Sequence, residues 1–326
     1  MNLETTYLGL KLKNPLVPSA SPLSRDLDMA RRLEDAGASA LVMYSLFEEE
    51  ILAEEERLTG LLDFQDLGHG EAHSYLPVHP DYKTGLEEYL EQLQALRSAL
   101  DIPVIASLNG ATESGWVEHG QELEAAGANA LELNVYFLPD AGESCEIVES
   151  RYVTILRQLK ERVSIPVTVK LSPYFTSLGH LVCQLEAAGA DGVVLFNRFY
   201  QPDLDLQTLE VKPQLHLSHP YESLLRMHWI GKLYCKVDLS LAATGGIHSA
   251  EESLKMLLAG ASIAHMCSAL IHGGPEVLTE TLGEMRRWME ENEYESIKQL
   301  IGSTCQERAI DPQAWDRVNY IRTLHS

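Results

Sequence analysis

AAGANALELN (125–134) and AAGADGVVLF (187–196) are two copies of one phrase, and DAGASALVMY (35–44) and LAGASIAHMC (258–267) are looser copies. In each, a glycine (Gly37, Gly127, Gly189, Gly260) follows an Ala/Leu/Glu-rich amphipathic stretch and precedes a short apolar run. That order predicts a helix closed by a glycine in the left-handed conformation, then a strand. A second phrase alternates with the first: DIPVIASL (101–108), SIPVTVKL (164–171) and, more loosely, KVDLSLAATG (236–245). In the first two a proline ends the preceding helix and leads into a strand. Gly127 and Gly189 stand 62 residues apart, room for two strand–helix pairs.

Working outward, the pattern predicts eight strands, at 16–20, 40–44, 102–108, 130–135, 165–171, 192–196, 237–243 and 262–267, alternating with eight helical segments. The strands are nearly continuous apolar runs, as parallel strands covered by helices should be. Eight such pairs predict an α/β protein, a (β/α)8 TIM barrel, filling residues 1–326 as a single domain with a helical tail from about 293. A doubly wound open sheet accounts for the alternation but not for the regular doublets. Long insertions follow strand 2 (45–84) and strand 6 (197–220), at the barrel end where chemistry is done. The acidic run Glu48–Glu50 and Glu54–Glu56 in the first is expected to be a solvated face.

The charge balance narrows the partners. Against 25 Lys+Arg stand 48 Asp+Glu, a net charge of −23, which disfavours nucleic acid and anionic lipid. No apolar run approaches the roughly 18–20 residues of a membrane helix. The start, MNLETTYLGL, lacks a signal-peptide pattern. Five scattered cysteines without a C-x-x-C pair fit a reducing compartment, so a cytoplasmic protein is expected.

The predicted strand ends present Ser19–Pro22, Tyr44-Ser45, Ser107–Gly110, Asn134–Phe137, Lys170, Asn197-Arg198, Thr244–Gly246 and Cys267-Ser268. They contain neutral hydrogen-bonding groups around one strand-end lysine, without a carboxylate pair or a catalytic triad. Such a set suits a planar, polar, anionic ligand. Gly245-Gly246 opens toward a helix beginning at Ser249, and with Cys267-Ser268 it forms a candidate phosphate cradle after strands 7 and 8. Lys170 has three readings: charge stabilisation on a cofactor, a Schiff base as in a flavin-free phosphate-binding lyase, or no role beyond reaching solvent. His69, His73 and His79 are weak metal ligands, since no further well-spaced ligand accompanies them, and no metal is expected.

These strand-end residues resemble those of the class 1 dihydroorotate dehydrogenases. The likeness runs from NPLVPSAS (14–21) to EYESIKQLIGS (293–303) and is most specific at TVKLSPYF (168–175), ATGGI (243–247), CSAL (267–270) and ELN (132–134). It implies an FMN-binding barrel of the cytosol, an oxidoreductase acting on CH–CH donors and working as a homodimer, with a redox partner protein as a further expectation. The resemblance places Ala20, Ser21, Ser107, Asn109, Asn134 and Lys170 on the flavin, with Gly245, Gly246, Cys267 and Ser268 around its phosphate. Asn197 corresponds to a substrate ligand. The departures fall on the substrate side. NVYFLPD (134–140) puts Phe137 where the family's N-x-S-C-P-N has its cysteine base. Tyr44 replaces a lysine after strand 2, and HSYLPVHP (73–80) keeps only Leu76-Pro77 of the substrate loop. With that base gone, Tyr136, Tyr44 or a loop histidine is left to take the proton while Lys170 offsets charge developing on the flavin, and the substrate is open. A non-catalytic FMN-carrying subunit of a redox complex is the third reading.

Overall fold

The structure, a computed structural model, describes residues 1–54, 83–110, 113–135, 139–198 and 201–325. All four repeat glycines have positive φ, between 96° and 129°, and each separates a helix from a strand. The strands they introduce assemble into one eight-stranded parallel sheet. Numbered along the chain, they are β1 (Leu16–Pro18), β2 (Leu41–Phe47), β3 (Val104–Gly110), β4 (Ala130–Val135), β5 (Val167–Leu171), β6 (Gly192–Leu195), β7 (Ser240–Thr244) and β8 (Ile263–Met266). Their order, β1-β8-β7-β6-β5-β4-β3-β2, is sequential around a ring. The two ends meet where the backbone N–H and Oγ of Ser39 both donate to the Leu16 carbonyl, at 3.1 and 2.8 Å. Eight helices cover the ring: α1 (Leu27–Asp35), α2 (Gly85–Ala99), α3 (Glu113–Ala125), α4 (Cys145–Lys160), α5 (Leu178–Ala187), α6 (Ser223–Leu233), α7 (Ala250–Ala259) and α8 (Glu276–Glu291). The molecule is the expected (β/α)8 barrel. Among the described residues, no helix is long and apolar enough to cross a membrane.

Side-chain alternation along the strands separates two apolar layers. Leu131, Leu133, Val167, Val169, Val193 and Leu195 pack outward against the helices, whereas Val17, Val42, Ile105, Ala130, Val194, Ala242 and Ile263 fill the barrel interior. An antiparallel hairpin, Thr5–Tyr7 with Leu10–Leu12, adds Tyr7, Leu8 and Leu12 to that interior. Tyr7 donates its hydroxyl hydrogen to Thr168 Oγ1 at 3.3 Å, and the Leu8 N–H donates to Ser240 Oγ at 3.0 Å. The sequence pattern did not anticipate this hairpin, because its strands are only three residues long.

The insertions differ from expectation in their bounds. β2 continues through Phe47, so the first insertion begins at 48 with a helical turn over 48–54. Glu48 is buried there, contrary to its solvated-face assignment, and packs over Gly110, whereas Glu49 and Glu50 are exposed. Glu54 accepts a hydrogen bond from the Gly85 N–H at 2.7 Å and so caps α2. The second insertion carries an exposed two-residue hairpin, Asp203–Leu204 with Val211–Lys212. After α8 the tail folds back, and Ser296 forms a parallel bridge with Asn2.

Candidate active site

At the carboxyl ends of the strands lies a cavity of about 390 Å³, within the roughly 300–1,000 Å³ of small-molecule and cofactor sites. Of the residues expected at the site, Ala20, Ser21, Tyr44, Asn109, Asn134, Lys170, Asn197, Gly245, Cys267 and Ser268 line it. Ser107 lies beneath it, fully buried, with its Oγ 3.0 Å from Ser45 Oγ. Gly246 stands behind the wall: a Cβ there would sit 2.5 Å from the Ser223 nitrogen, and its φ of 78° excludes most side chains. Tyr136, Phe137, His69, His73 and His79 lie outside the described residues.

A bulge aims β2 at the cavity. The register runs Val42↔Ile105 and then Ser45↔Ser107, so β2 holds one residue more than its partner. Consecutive residues Tyr44 and Ser45 therefore both line the cavity. The Tyr44 ring stacks edge-on against Tyr89 with centroids 4.8 Å apart, and its backbone N–H donates to Ser24 Oγ at 2.7 Å. Burial pushes the Tyr44 hydroxyl pKa up, an effect that the neighbouring Arg25 opposes.

Beneath the cavity floor sits a polar layer inside the barrel. β4 turns Glu132 and Asn134 inward, and β5 turns Thr168 and Lys170 inward beside them. Lys170 Nζ donates to Glu132 Oε1 at 3.1 Å, with both side chains buried. Glu132 Oε2 has no hydrogen-bond partner and lies 4.0 Å from Nδ1 of His265, a fully buried histidine on β8. Both His265 nitrogens are also unpartnered, and burial lowers its pKa to about 4. Higher up, Asn197 Nδ2 donates to Asn134 Oδ1 at 2.7 Å, joining the strand-4 and strand-6 asparagines at one point.

The turn expected to cradle a phosphate is built differently from the expectation. The N-terminus of α7 is closed by its own capping box: Ser249 Oγ accepts from the Glu251 N–H, and the Glu252 carboxylate accepts from Ser249 N and Oγ. An internal carboxylate thus takes the place foreseen for a ligand anion. What faces the cavity is Gly245, Ser218 and Ser268, whose two hydroxyls are 2.8 Å apart. Arg226, buried on α6, donates from Nε to the Thr244 carbonyl at 2.9 Å and from Nη1 to the Glu222 carbonyl at 2.8 Å. It supports the turn from below. The Cys267 thiol lines the cavity with its pKa pushed up by burial, which disfavours a nucleophilic thiolate.

The cavity's charge pattern is one-sided. Among the described residues it is lined by Arg25, Lys170, Arg198 and Arg226 and by no carboxylate, in a chain with a net charge of −23. Ala20, Pro22, Phe47, Phe196 and Leu217 supply apolar wall. Sequence reasoning missed Arg25, Ser218, Phe196 and Arg226. Glu132 was quoted only inside ELN, although its place two residues before Asn134 on one strand put it on the same inward face.

A family model described as dihydroorotate dehydrogenase matches residues 82–289, well over half the chain. The chain belongs to the dihydroorotate dehydrogenase family. It is 26% identical to the catalytic subunit of dihydroorotate dehydrogenase B (NAD(+)) of Pyrococcus abyssi, over 92% of this chain and 98% of that one. Dihydroorotate dehydrogenase A (fumarate) of Lactobacillus delbrueckii subsp. bulgaricus is likewise 26% identical, over 93% of this chain and 98% of its own. The catalytic subunit of dihydroorotate dehydrogenase B (NAD(+)) from Shouchella clausii is 25% identical over 94% and 99%. The likeness to these dehydrogenases is spread over the whole barrel.

Proposed function

We propose that this chain is an FMN-dependent oxidoreductase of the dihydroorotate dehydrogenase type, a single barrel domain oxidising a CH–CH donor in the cytoplasm as a homodimer. The observation that carries the reading is the donor set of the cavity in a member of this family: among the described residues, four cations, paired amides and no carboxylate. That chemistry fits a phosphorylated flavin, whose phosphate and reduced ring are anionic. Gly245, Ser218, Ser268 and Arg226 would hold the phosphate end, Ala20, Ser21, Asn109 and Asn134 the ring, and Lys170 its polar edge. When bound, FMN supplies the hydride acceptor.

The chain's own residues do the rest. The Lys170 ammonium, fixed against Glu132, is a preorganised positive charge that lowers the energy of negative charge developing beside it. Phe196, Pro22 and Leu217 keep water from the wall, which strengthens that effect. Asn197, tied to Asn134, offers its remaining amide hydrogen to a substrate carbonyl. Tyr44, with its pKa raised, keeps its proton near neutrality and acts as a donor. The proton acceptor falls to Tyr136 or a loop histidine, because Phe137 cannot take one.

Anaerobic mixing of the FMN-loaded protein with dihydroorotate and with other CH–CH donors tests the reading. Loss of the oxidised flavin spectrum with at least one donor is expected. A flavin that survives every donor yet is reduced by dithionite would leave a carrier rather than an enzyme.

A further inference from the structure

At the amino-terminal end of the barrel strands, opposite the end that holds the cavity, two thiols meet. Cys235, just after α6, and Cys305, in the tail, have their Sγ atoms 3.3 Å apart across 70 positions of sequence. Backbone hydrogen bonds fasten the tail at this point. Gly302 and Thr304 donate to the carbonyls of Leu257 and Leu258 on α7 at 2.9 and 3.0 Å, and Gln306 donates to the Gly231 carbonyl on α6 at 2.9 Å. The Cys305 N–H donates to the Gly302 carbonyl, and the Cys305 carbonyl accepts from Arg308 and Ala309. Gly302, at a φ of 70°, leaves no room for a Cβ against the Tyr234 ring. Both cysteine backbones are thus held in place before any bond joins the sulfurs.

The two sulfurs differ in access. Cys235 is exposed, whereas Cys305 is fully buried. Around Cys235 opens a hollow of about 610 Å³, whose wall carries both charge signs: Lys236 and Arg308 against Glu186 and Asp238. Such a wall fits a small peptide disulfide that bears carboxylates and ammonium groups. We propose that Cys235 and Cys305 form a thiol–disulfide exchange site, which a low-molecular-weight peptide disulfide oxidises to an intramolecular bond. The Cys235 thiolate attacks one sulfur of that reagent, whose S–S bond breaks and whose leaving thiolate takes up the proton lost by Cys235. The Cys305 thiolate then attacks Sγ of Cys235, and a second small thiol leaves with the Cys305 proton. Two electrons pass from the cysteine pair to the reagent, which departs as two thiols. The new bond closes a loop containing β7, α7, β8 and α8, so it fastens the last strands of the barrel to the tail and restricts the unfolded chain. This chemistry is independent of what the cavity binds.

Oxidised glutathione is the probe, applied to the full chain and to a Cys145→Ser/Cys183→Ser background that removes the other exposed thiols. Burial and the Cys305 thiol push the Cys235 pKa up, an effect that Arg308 opposes, so the exchange is run at about pH 8.5. Peptide mapping by mass spectrometry should find Cys235 bonded to Cys305 in both proteins, and dithiothreitol should restore the free thiols. The unfolding midpoint of the oxidised chain should rise by roughly 5 °C. In the background chain, Cys305→Ala should stop at a glutathionyl adduct on Cys235, and Cys235→Ser should gain no adduct at Cys305. Thiols that stay free, an adduct that persists on Cys235 while Cys305 is intact, a bond from either to another cysteine, or a midpoint that does not rise would each overturn it.

Discussion

Lys170 and Glu132 depend on each other. Removing one partner of a buried ion pair strands the other, at a cost of about 3–5 kcal/mol. Lys170→Ala should therefore lower the unfolding midpoint as well as slow flavin reduction. The double variant Glu132→Gln/Lys170→Met should regain most of the stability but not the reduction rate, which thermal unfolding and anaerobic stopped-flow would resolve. Equal stability of parent and Lys170→Ala would show that the pair carries no weight. His265 gives a pH signature. Its folded pKa of about 4 lies below the ordinary histidine value of 6.5, so the folded state resists a proton that the unfolded chain accepts. Its contribution is complete above pH 6.5 and is lost as pH falls toward 4, by an amount on the order of 3 kcal/mol. His265→Gln should flatten the denaturation profile in that window; an unchanged slope would place the acid sensitivity elsewhere. Of this layer, Lys170 was legible in the sequence because a strand-end cation among apolar residues is conspicuous. Its counter-charge was not. Pairing across strands needs the register Glu132↔Thr168, which the local pattern leaves unspecified.

At the scale of elements, the repeated glycine phrase marked the ends of helices and the starts of strands because both rest on local chemistry. The bulge in β2 and the two short strands of the N-terminal hairpin depend on partners distant in the chain, and no local periodicity announces them. The capping box of α7 lies between these cases: Ser249 and Glu252 have its S-x-x-E spacing, which argues against a free helix terminus at the proposed phosphate site. Ser249→Ala should cost about 1 kcal/mol in unfolding free energy. The same variant should leave FMN affinity unchanged. A marked fall in flavin binding, measured by equilibrium dialysis, would return the α7 terminus to the cradle.

For the molecule as a whole, the separation of charge is the informative feature. A chain with 48 acidic residues folds around a cavity whose described lining is cationic and free of carboxylates. The composition alone argued against polyanionic partners, and that argument concerns the outer surface. The interior has the opposite sign because three arginines, from the β1 turn, the β6 end and α6, converge there only in the folded barrel. Fold and family were legible because a twofold doublet of strand–helix pairs and several strand-end motifs are written in contiguous residues. The stacking of Arg25 on Tyr44 was not, since the two meet across 19 positions of sequence. The account stands on a flavin nucleotide occupying this cavity, so the most direct measurement is the visible absorbance of the purified protein after incubation with FMN and removal of free ligand. It predicts a flavin spectrum at one equivalent per chain, and a protein that remains colourless would contradict it.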